Sequence, residues 1–363
     1  MKRIIISGII IFAIIFGVLI FVNDEKSGEE NTTKIGLILN GSKDDRGYSQ
    51  AHYEGIKELE KKMNVKVYCK ENVPLDESCE KSINELIEKK KCSIIFCNSY
   101  GYGEYEKKIA DKNPDVYFYH ATGADVGDNF ASYFGRMYQI RYLSGIVAGF
   151  QTKNNSIGYV AAMPIDEVVR GINAFTLGVQ SVNPSAVVHV EWTNNWTDGR
   201  TAKKAVDKLI DDYNIDVMTH HVDILDALDE AEKKGIYTIG YNMDNSDRYP
   251  NTYLTSCVWN WESFYEEQVN ACIEGKFKGE HYWLGIGTGV MELSKFTDNV
   301  RYGIAREVKE AQNKIEEGST DVFYGPIYDN KGKLRVAEGE SMSDDELLNS
   351  FDWFVKGVDT ENE

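Results

Sequence analysis

The sequence predicts an α/β fold made of two doubly wound lobes, each built on a parallel sheet. Short apolar runs such as Lys34–Asn40 alternate with segments of helical periodicity such as Tyr48–Met63, and this alternation is typical of parallel sheets covered by helices. The pattern restarts after the polar break at residues 151–156, with the same Ile-Gly start as the first strand. The 363 residues are enough for two such cores.

The elements follow in order along the chain. Apolar runs of strand length are Lys34–Asn40, Ser93–Cys97, Val116–His120, Ile157–Ala162, Val187–Trp192, Val217–Thr219, Tyr237–Tyr241 and Tyr253–Val258. Segments with helical spacing are Tyr48–Met63, Ser82–Lys89, Met137–Phe150, Val168–Val182, Thr201–Asp212 and Leu225–Lys234.

The amino terminus predicts a membrane segment. Lys2 and Arg3 precede an uncharged run, Ile4–Val22, which spans roughly 28 Å as a helix and is long enough to cross a bilayer. The basic flank places the rest of the chain outside the cytoplasm. Residues 1–22 are therefore a signal or an anchor, and residues 23–33 a polar linker. The sequence lacks a cleavage pattern and a lipid-accepting cysteine near Val22, which favours an uncleaved anchor over a cleaved signal.

Charge and cysteine content exclude several classes of function. The formal net charge of −18 argues against a nucleic-acid partner, because phosphates would be repelled. The six cysteines form no C-x-x-C pair, which argues against zinc and redox motifs, and they leave any disulfide pairing open.

Aromatic and carboxylate residues follow the predicted strands, where ligands bind in doubly wound sheets. A cleft with planar walls and few directional polar groups suits a heterocyclic base. Asp45 is also explained as a helix cap, and the two tryptophans near residue 194 as core residues. The candidate ligand-binding residues are Asp45, Tyr48, Tyr100, Trp192, Trp196, Asp244 and Trp259.

Enzyme motifs are absent or weak. The chain contains no G-x-S-x-G nucleophile elbow, no H-E-x-x-H and no Walker loop. The glycines of Gly285–Gly289 lack the spacing of a dinucleotide site. His220 and His221 are adjacent on a predicted strand and point to opposite faces, so they are not a metal pair. We expect a binding protein that is not an enzyme and has no cofactor and no metal.

The sequence resembles the basic membrane protein family, whose members are substrate-binding receptors of ABC importers. The resemblance spans residues 34–357. The motifs that carry it are Asp45–Gly55, His120–Gly123, Tyr142–Gly149, Asn173–Gly178, Val182–Pro184, Trp192–Asp198, Thr255–Ser256, Val258–Trp261 and Val322–Ile327.

The resemblance implies the type I periplasmic-binding-protein fold, in which three crossover strands form a hinge between two lobes. By analogy the chain crosses near residues 151–156, 255–261 and 280–285. Lobe 1 would then comprise residues 34–152 and 258–280, and lobe 2 residues 156–255 and 283–357. The protein would be an extracytoplasmic monomer at the cell membrane that works with a permease and an ATPase.

The resemblance also implies a purine ligand. Family members bind purine nucleosides or free purine bases such as adenine. Carried over to this chain, Tyr48 and one of Trp192 and Trp196 would sandwich the ring. Polar contacts would come from residues at matching positions: Asp45, His120, Asn173 and Asp244. The nucleoside branch has a lysine for the ribose where this chain has Trp259, which favours a free base.

Two alternatives remain open. A membrane-anchored sensory ectodomain would use the same pocket without transport, and a neighbouring gene for a permease would argue against it. A nucleoside hydrolase or phosphorylase would need a phosphate site or a water-activating site that the sequence does not show.

Overall fold

The computed structural model describes residues 32–360, which form two α/β lobes with separate sheets. The predicted fold class is confirmed. The predicted anchor, residues 1–22, lies outside the described residues, as does most of the linker. Within residues 32–360, every helix is too short or too polar to cross a membrane, and the six cysteines there are free thiols.

Lobe 1 is a six-stranded, wholly parallel sheet with helices on both faces. Its strand order is β11-β5-β4-β3-β1-β2. The elements are β1 (Thr33–Ile38), α1 (Tyr48–Lys62), β2 (Val65–Lys70), α2 (Cys79–Glu88), β3 (Ile94–Cys97), a 3₁₀ turn (Tyr100–Tyr102), α3 (Gly103–Ala110), β4 (Tyr117–Ala121) and β5 (Phe130–Gly135). Two later elements complete this lobe. They are α8 (Glu262–Ile273) and β11 (His281–Leu284).

Lobe 2 contains a seven-stranded sheet of order β12-β10-β9-β8-β6-β7-β15, in which only β12 runs antiparallel to its neighbour. The first part comprises α4 (Met137–Gln151), β6 (Ser156–Ala161), α5 (Asp166–Val182), β7 (Val187–Trp192), α6 (Gly199–Tyr213), β8 (Val217–His221), α7 (Asp226–Lys234), β9 (Tyr237–Asn242) and β10 (Tyr253–Trp259). The carboxyl-terminal part adds a 3₁₀ turn (Ile286–Thr288), β12 (Met291–Leu293), α9 (Ile304–Glu316), the hairpin β13 (Ile327–Tyr328) and β14 (Leu334–Val336), α10 (Asp344–Asn349) and β15 (Val358–Thr360).

The chain passes between the lobes three times, next to β5, β10 and β11. Sheet membership places the passages at residues 135–137, 259–262 and 284–286. The second and third lie close to the positions that the resemblance implied. The first lies one helix earlier than predicted, because α4 begins directly after β5 and packs in lobe 2. The polar break at 151–156 is the turn from α4 into β6.

Helix α4 belongs to lobe 2 because it packs closely against α5. A Cβ atom at Gly145 of α4 would lie 2.0 Å from the backbone oxygen of Phe175, and one at Gly178 of α5 would lie 2.0 Å from that of Tyr142. Only glycine permits backbones to approach this closely at both positions. This contact fixes α4 on α5 and brings the start of α4 to the edge of the cleft.

Candidate functional site

The two lobes touch across a cleft at the carboxyl ends of their strands. The guanidinium of Arg46 in lobe 1 lies 3.3 and 3.1 Å from the carboxylate oxygens of Asp247 in lobe 2. Asn245 Nδ2 donates to the carbonyl of Arg46 over 3.1 Å. A Cβ atom at Gly47 would lie 3.3 Å from the carbonyl oxygen of Asp223. The loop before α1 therefore forms the lobe 1 wall, and the lobes are closed on it.

Asp45 in this loop holds the start of α1. Its Oδ1 accepts from the backbone N–H of Gly47 at 2.8 Å and of Gln50 at 3.0 Å, and its Oδ2 accepts from Ser49 N–H at 3.0 Å. Three backbone donors near a helix start are thereby satisfied, as in helix capping. Burial raises the pKa of the Asp45 carboxyl in spite of these bonds. The local geometry thus matches the capping interpretation of Asp45.

Tyr48 begins a continuous stack of aromatic rings. Its ring meets His52 edge-on at 4.6 Å, His52 stacks on Trp261 at 4.7 Å, and Trp261 stacks on Trp259 at 4.6 Å. The Tyr48 hydroxyl is buried and has no hydrogen-bond partner among residues 32–360. Burial, and then the negative charge of Glu167, raise the pKa of Tyr48 well above its usual value. The hydroxyl of this lobe 1 residue therefore faces acidic groups of lobe 2.

Trp259 closes the hinge end of the cleft. It is buried, and its Nε1 donates to Asn242 Oδ1 over 3.1 Å. Gly135, at the first passage between the lobes, lies so close that a Cβ there would be 2.5 Å from the indole ring. The ring of Phe134 packs against it at 4.9 Å. A flat aromatic surface therefore fills the space between the passages.

Polar groups of lobe 2 surround a small cavity beside this surface. Its volume is about 10 Å³, close to the room that one water molecule needs. The lining residues come from β5 of lobe 1 and from α4, α5 and β8 of lobe 2. The cavity therefore lies beside the first passage between the lobes. The lining residues are Phe134, Gly135, Met137, Tyr138, Arg141, Glu167, Arg170, Gly171 and His221.

Burial and neighbouring charged groups determine the protonation of Glu167 and His221. Burial alone would raise the pKa of Glu167, but the His221 ring and the guanidinium groups of Arg170 and Arg141 hold it below its usual value. Burial, with Arg141 nearby, lowers the pKa of His221 to about 4. Neutral His221 accepts at Nδ1 from Tyr159 Oη over 3.2 Å if its proton is on Nε2. An ionised carboxylate and a neutral imidazole therefore lie side by side.

Asp223 adds a second carboxyl to the lobe 2 wall. Burial raises the pKa of Asp223 to about 7, opposed by a hydrogen bond from Asn242 and reinforced by the charges of Asp45 and Glu167. Asn242 Nδ2 donates to Asp223 Oδ1 over 3.1 Å. The carboxyl therefore changes protonation near neutral pH. The ionised form only accepts hydrogen bonds, whereas the protonated form also donates one.

Two of the candidate residues from the family resemblance are engaged in structure within their own lobe. His120 Nδ1 lies 2.9 Å from Glu106 Oε2, and both side chains are buried. Asn173 Nδ2 donates to the carbonyl of Trp353 and its Oδ1 accepts from Val355 N–H, each over 2.9 Å. These bonds hold α3 to β4 and the carboxyl-terminal segment to α5.

The remaining candidates differ in what they contact and in how exposed they are. Trp196 packs edge-on against His221 at 5.9 Å, next to the polar cavity. Trp192 instead packs near Phe354, at 6.5 Å. Tyr100 is 74% exposed, and the exposed Asp244 accepts from Ser246 N–H in a turn. These contacts bring Asp45, Tyr48, Trp196 and Trp259 close to the polar groups of the cleft, whereas Tyr100 and Asp244 are exposed and Trp192 packs near Phe354.

The sequence analysis did not identify Arg141 and Glu167 because both lie in helices, whereas its candidate residues follow predicted strands. One feature of the sequence does point to Arg141. Arg141 is the only charged residue in α4, and the rest of that helix is largely apolar and buried. A lone charge in such a helix indicates a buried polar site.

Comparisons with known proteins agree with this architecture. A family model described as "ABC transporter substrate-binding protein PnrA-like" matches residues 32–322. A purine-binding protein of Brucella abortus is 35% identical over 333 residues, which cover 91% of this chain and 94% of that protein. A protein of Haloferax volcanii, whose name proposes glucose binding for an ABC transporter, is 38% identical over 268 residues, covering 74% of this chain and 66% of that protein.

Solved structures show the same fold. An ABC solute-binding protein from Conexibacter woesei has a TM-score of 0.69 at 17% identity, over 80% of this chain and 98% of that chain. A transcriptional activator from Bacillus halodurans has a TM-score of 0.70 at 24% identity, over 79% of this chain and 99% of that chain. The resemblance found in the sequence is confirmed, and basic membrane protein C of Borreliella burgdorferi is also similar, at 24% identity. The chain belongs to the PnrA-like family of ABC transporter substrate-binding proteins.

Proposed function

We propose that this protein is the extracytoplasmic receptor of an ABC importer and captures a free purine base in the cleft between its lobes. The observation that carries the proposal is the composition of the closed cleft. Lobe 1 brings the unpartnered hydroxyl and the ring of Tyr48 against the lobe 2 groups around Glu167 and Asp223. An aromatic wall opposite a mixed set of donors and acceptors suits a planar nitrogen heterocycle.

The ring contacts differ in part from those that the family resemblance implied. Tyr48 and Trp196 remain candidates for the two faces of the base, since Trp196 packs against His221 and Tyr48 lies within the field of Glu167, two residues that line the polar cavity. In this proposal Trp259, whose indole lies at the hinge end of the cleft, takes the place of Trp192 as an aromatic contact of the base. Stacking on aromatic rings contributes about 1–3 kcal/mol per base, and this contribution does not depend on which purine binds.

Two features support a base rather than a nucleoside. The buried indole of Trp259 stands where the nucleoside branch of the family has a ribose-binding lysine. Its Nε1 is already bonded to Asn242, which leaves the indole no donor for a sugar hydroxyl. A ribose at this end would also have to displace the close contact between Trp259 and Gly135.

The proposal also includes two further steps. The protein delivers its ligand to a permease and an ATPase, and it is anchored to the membrane through Ile4–Val22. Both are supported by the family membership and by the charge-free amino-terminal run. A sensory role would use the same cleft. Deleting a permease gene next to this gene should abolish purine uptake by the cells, whereas a purely sensory protein would leave uptake unchanged.

The ligand is tested by calorimetry on full-length protein that has been stripped of bound ligand by unfolding and refolding. We expect adenine, hypoxanthine or guanine to bind, adenosine and guanosine to bind at least tenfold more weakly, and glucose not to bind. Binding of nucleosides without bases would overturn the free-base proposal. Binding of glucose alone would overturn the purine proposal and favour the ligand named for the Haloferax volcanii relative.

A further inference from the structure

Arg141 is a completely buried cation that donates hydrogen bonds from only one of its three guanidinium nitrogens. Its Nη1 donates to Thr219 Oγ1 over 3.2 Å and to the carbonyl of His220 over 3.0 Å. Its Nε and Nη2 have no hydrogen-bond partner within the described part of the chain. Leaving charged donors buried without an acceptor is more unfavourable than leaving a neutral donor unpaired.

The two unpartnered nitrogens form one edge of the guanidinium. The N–H groups of Nε and Nη2 point the same way in the plane of the group, and together they make the fork that binds two adjacent acceptors. One face of the guanidinium is covered by the ring of Tyr241, whose centroid is 4.1 Å away. Since Nη1 is held by β8, an incoming acceptor pair can meet Arg141 only at this in-plane edge.

Arg141 also borders the cleft. It lines the small cavity together with Phe134, Glu167, Gly171 and His221. Glu167 is ionised and contributes to the field around Arg141, but no hydrogen bond joins the two side chains in the described structure. A fork of donors and an ionised carboxylate, which lies 3.8 Å from His221 Nε2, therefore border the same cavity, next to the aromatic wall.

We propose that Arg141 is the specificity-determining residue of the site. Its Nε/Nη2 edge binds two neighbouring acceptor atoms on the rim of the purine base, and Glu167 accepts an adjacent N–H of the base. This inference rests on the proposed function. Purines offer such acceptor pairs at O6 and N7, or at N3 and N9 when the proton is on N7. The second pair exists only while N9 carries no sugar, which agrees with a free-base ligand.

The experiment couples changes in the ligand with changes in the protein. Affinities of full-length protein are measured by calorimetry for each binding base and its 3-deaza, 7-deaza and 9-deaza analogues, in which one ring nitrogen becomes C–H. A bidentate arginine contact discriminates by about 1–3 kcal/mol, so at least one analogue should bind about 5- to 150-fold more weakly. In Arg141→Lys, which keeps the charge but loses the fork, that difference should shrink below threefold.

Arg136→Lys is the matched control. Arg136 directly precedes α4, and its Nη1 and Nη2 donate to the two carboxylate oxygens of Asp344 over 2.8 and 2.6 Å. Its side chain lies outside the cavity lining, so the discrimination among analogues should persist in this variant. Equal discrimination in wild type and Arg141→Lys would overturn the inference. If Arg141→Lys does not fold, the wild-type series decides: a loss of fivefold or more for one analogue supports the inference, and smaller losses for all of them overturn it.

The same data separate this inference from the proposed function. Purine binding without any effect of the deaza substitutions would overturn the role of Arg141 and leave the purine receptor intact. Absence of binding for every purine would overturn both.

Discussion

The two walls of the cleft are built on the same fold but satisfy their polar groups in different ways. On the lobe 1 wall, Asp45 caps its own helix and Asn98 Oδ1 accepts from Asn40 N–H over 3.0 Å. On the lobe 2 wall, the fork of Arg141 and Nε2 of His221 are buried without hydrogen-bond partners among residues 32–360. The difference indicates that lobe 1 supplies an aromatic surface and lobe 2 the unpaired charged group.

This contrast has an energetic meaning. A polar group that is satisfied inside its own lobe gains little from a ligand, whereas an unpaired buried group can gain a hydrogen bond that it lacks. We therefore expect substitutions of polar residues in lobe 1 to act on stability, and substitutions at the lobe 2 wall to act on affinity. Lobe 1 has exceptions in its aromatic stack, where the Tyr48 hydroxyl, His52 Nε2 and Trp261 Nε1 are also buried without partners among residues 32–360. Of these, the Tyr48 hydroxyl faces lobe 2. Four predictions test this division.

The largest effect is expected for His120→Ala. This change leaves Glu106 buried without its partner, and breaking a buried pair in this way costs about 3–5 kcal/mol in the free energy of unfolding, measurable by urea denaturation. The ligand affinity of the folded variant should stay within threefold. His189→Ala is the control, because His189 pairs with the partly exposed Asp359 at the outer edge of lobe 2, and its loss should cost less than about 1 kcal/mol. An unchanged stability together with weaker binding would instead place His120 at the ligand.

A smaller effect, on affinity, is expected for Tyr48→Ala. Loss of ring stacking should weaken purine binding about 5- to 150-fold in calorimetry. Asp244→Ala should change the affinity less than threefold, because this exposed carboxylate accepts only from Ser246 N–H in its own turn. A large loss of purine affinity in Asp244→Ala, with no loss in Tyr48→Ala, would show that Asp244 and not Tyr48 contacts the ligand.

Asp223 should make the stability of lobe 2 depend on pH. Its folded-state pKa of about 7 lies above the usual 3.8, so between these values the unfolded chain loses a proton that the folded chain keeps. The free energy of unfolding should therefore fall as pH rises from about 4 to 7, by about 3 kcal/mol from this group. Subtracting the urea-denaturation profile of Asp223→Asn from that of the wild type isolates the contribution. A difference that rises with pH would contradict the buried, protonated carboxyl.

The smallest effect is expected at the ion pair between the lobes. Asp247→Asn removes the contact with Arg46, and an exposed pair contributes less than about 1 kcal/mol, so ligand dissociation should accelerate by less than about fivefold and mainly at low salt. Asp229→Asn is the control, since Asp229 pairs with Arg248 inside lobe 2. Stopped-flow dissociation rates should change only for Asp247→Asn. Equal rates for both variants would show that this pair does not hold the lobes closed.

Much of the fold follows from local patterns in the sequence. The run Val187–Trp192 coincides with β7, and Tyr253–Val258 lies within β10. Strands β2 and β5 were not predicted. Strand β2 lies at the edge of its sheet and includes the exposed Lys66, and β5 follows β4 through a loop without an intervening helix. Hydrophobic periodicity detects elements that bury one face against a helix, and it loses elements in other surroundings.

The sequence by itself determined the two-lobed α/β class, the family and the aromatic residues at the strand ends, because these depend on local periodicity and on contiguous motifs. Only the tertiary structure decided that α4 belongs to lobe 2, that His120 turns toward Glu106, and that Arg141 lies at the cleft with two of its three guanidinium nitrogens unpartnered. Periodicity shows that a side chain is buried, but the group that it contacts comes from a distant part of the chain. Helix α4 is an example, because its position depends on the close approach of Gly145 to Phe175 and of Gly178 to Tyr142.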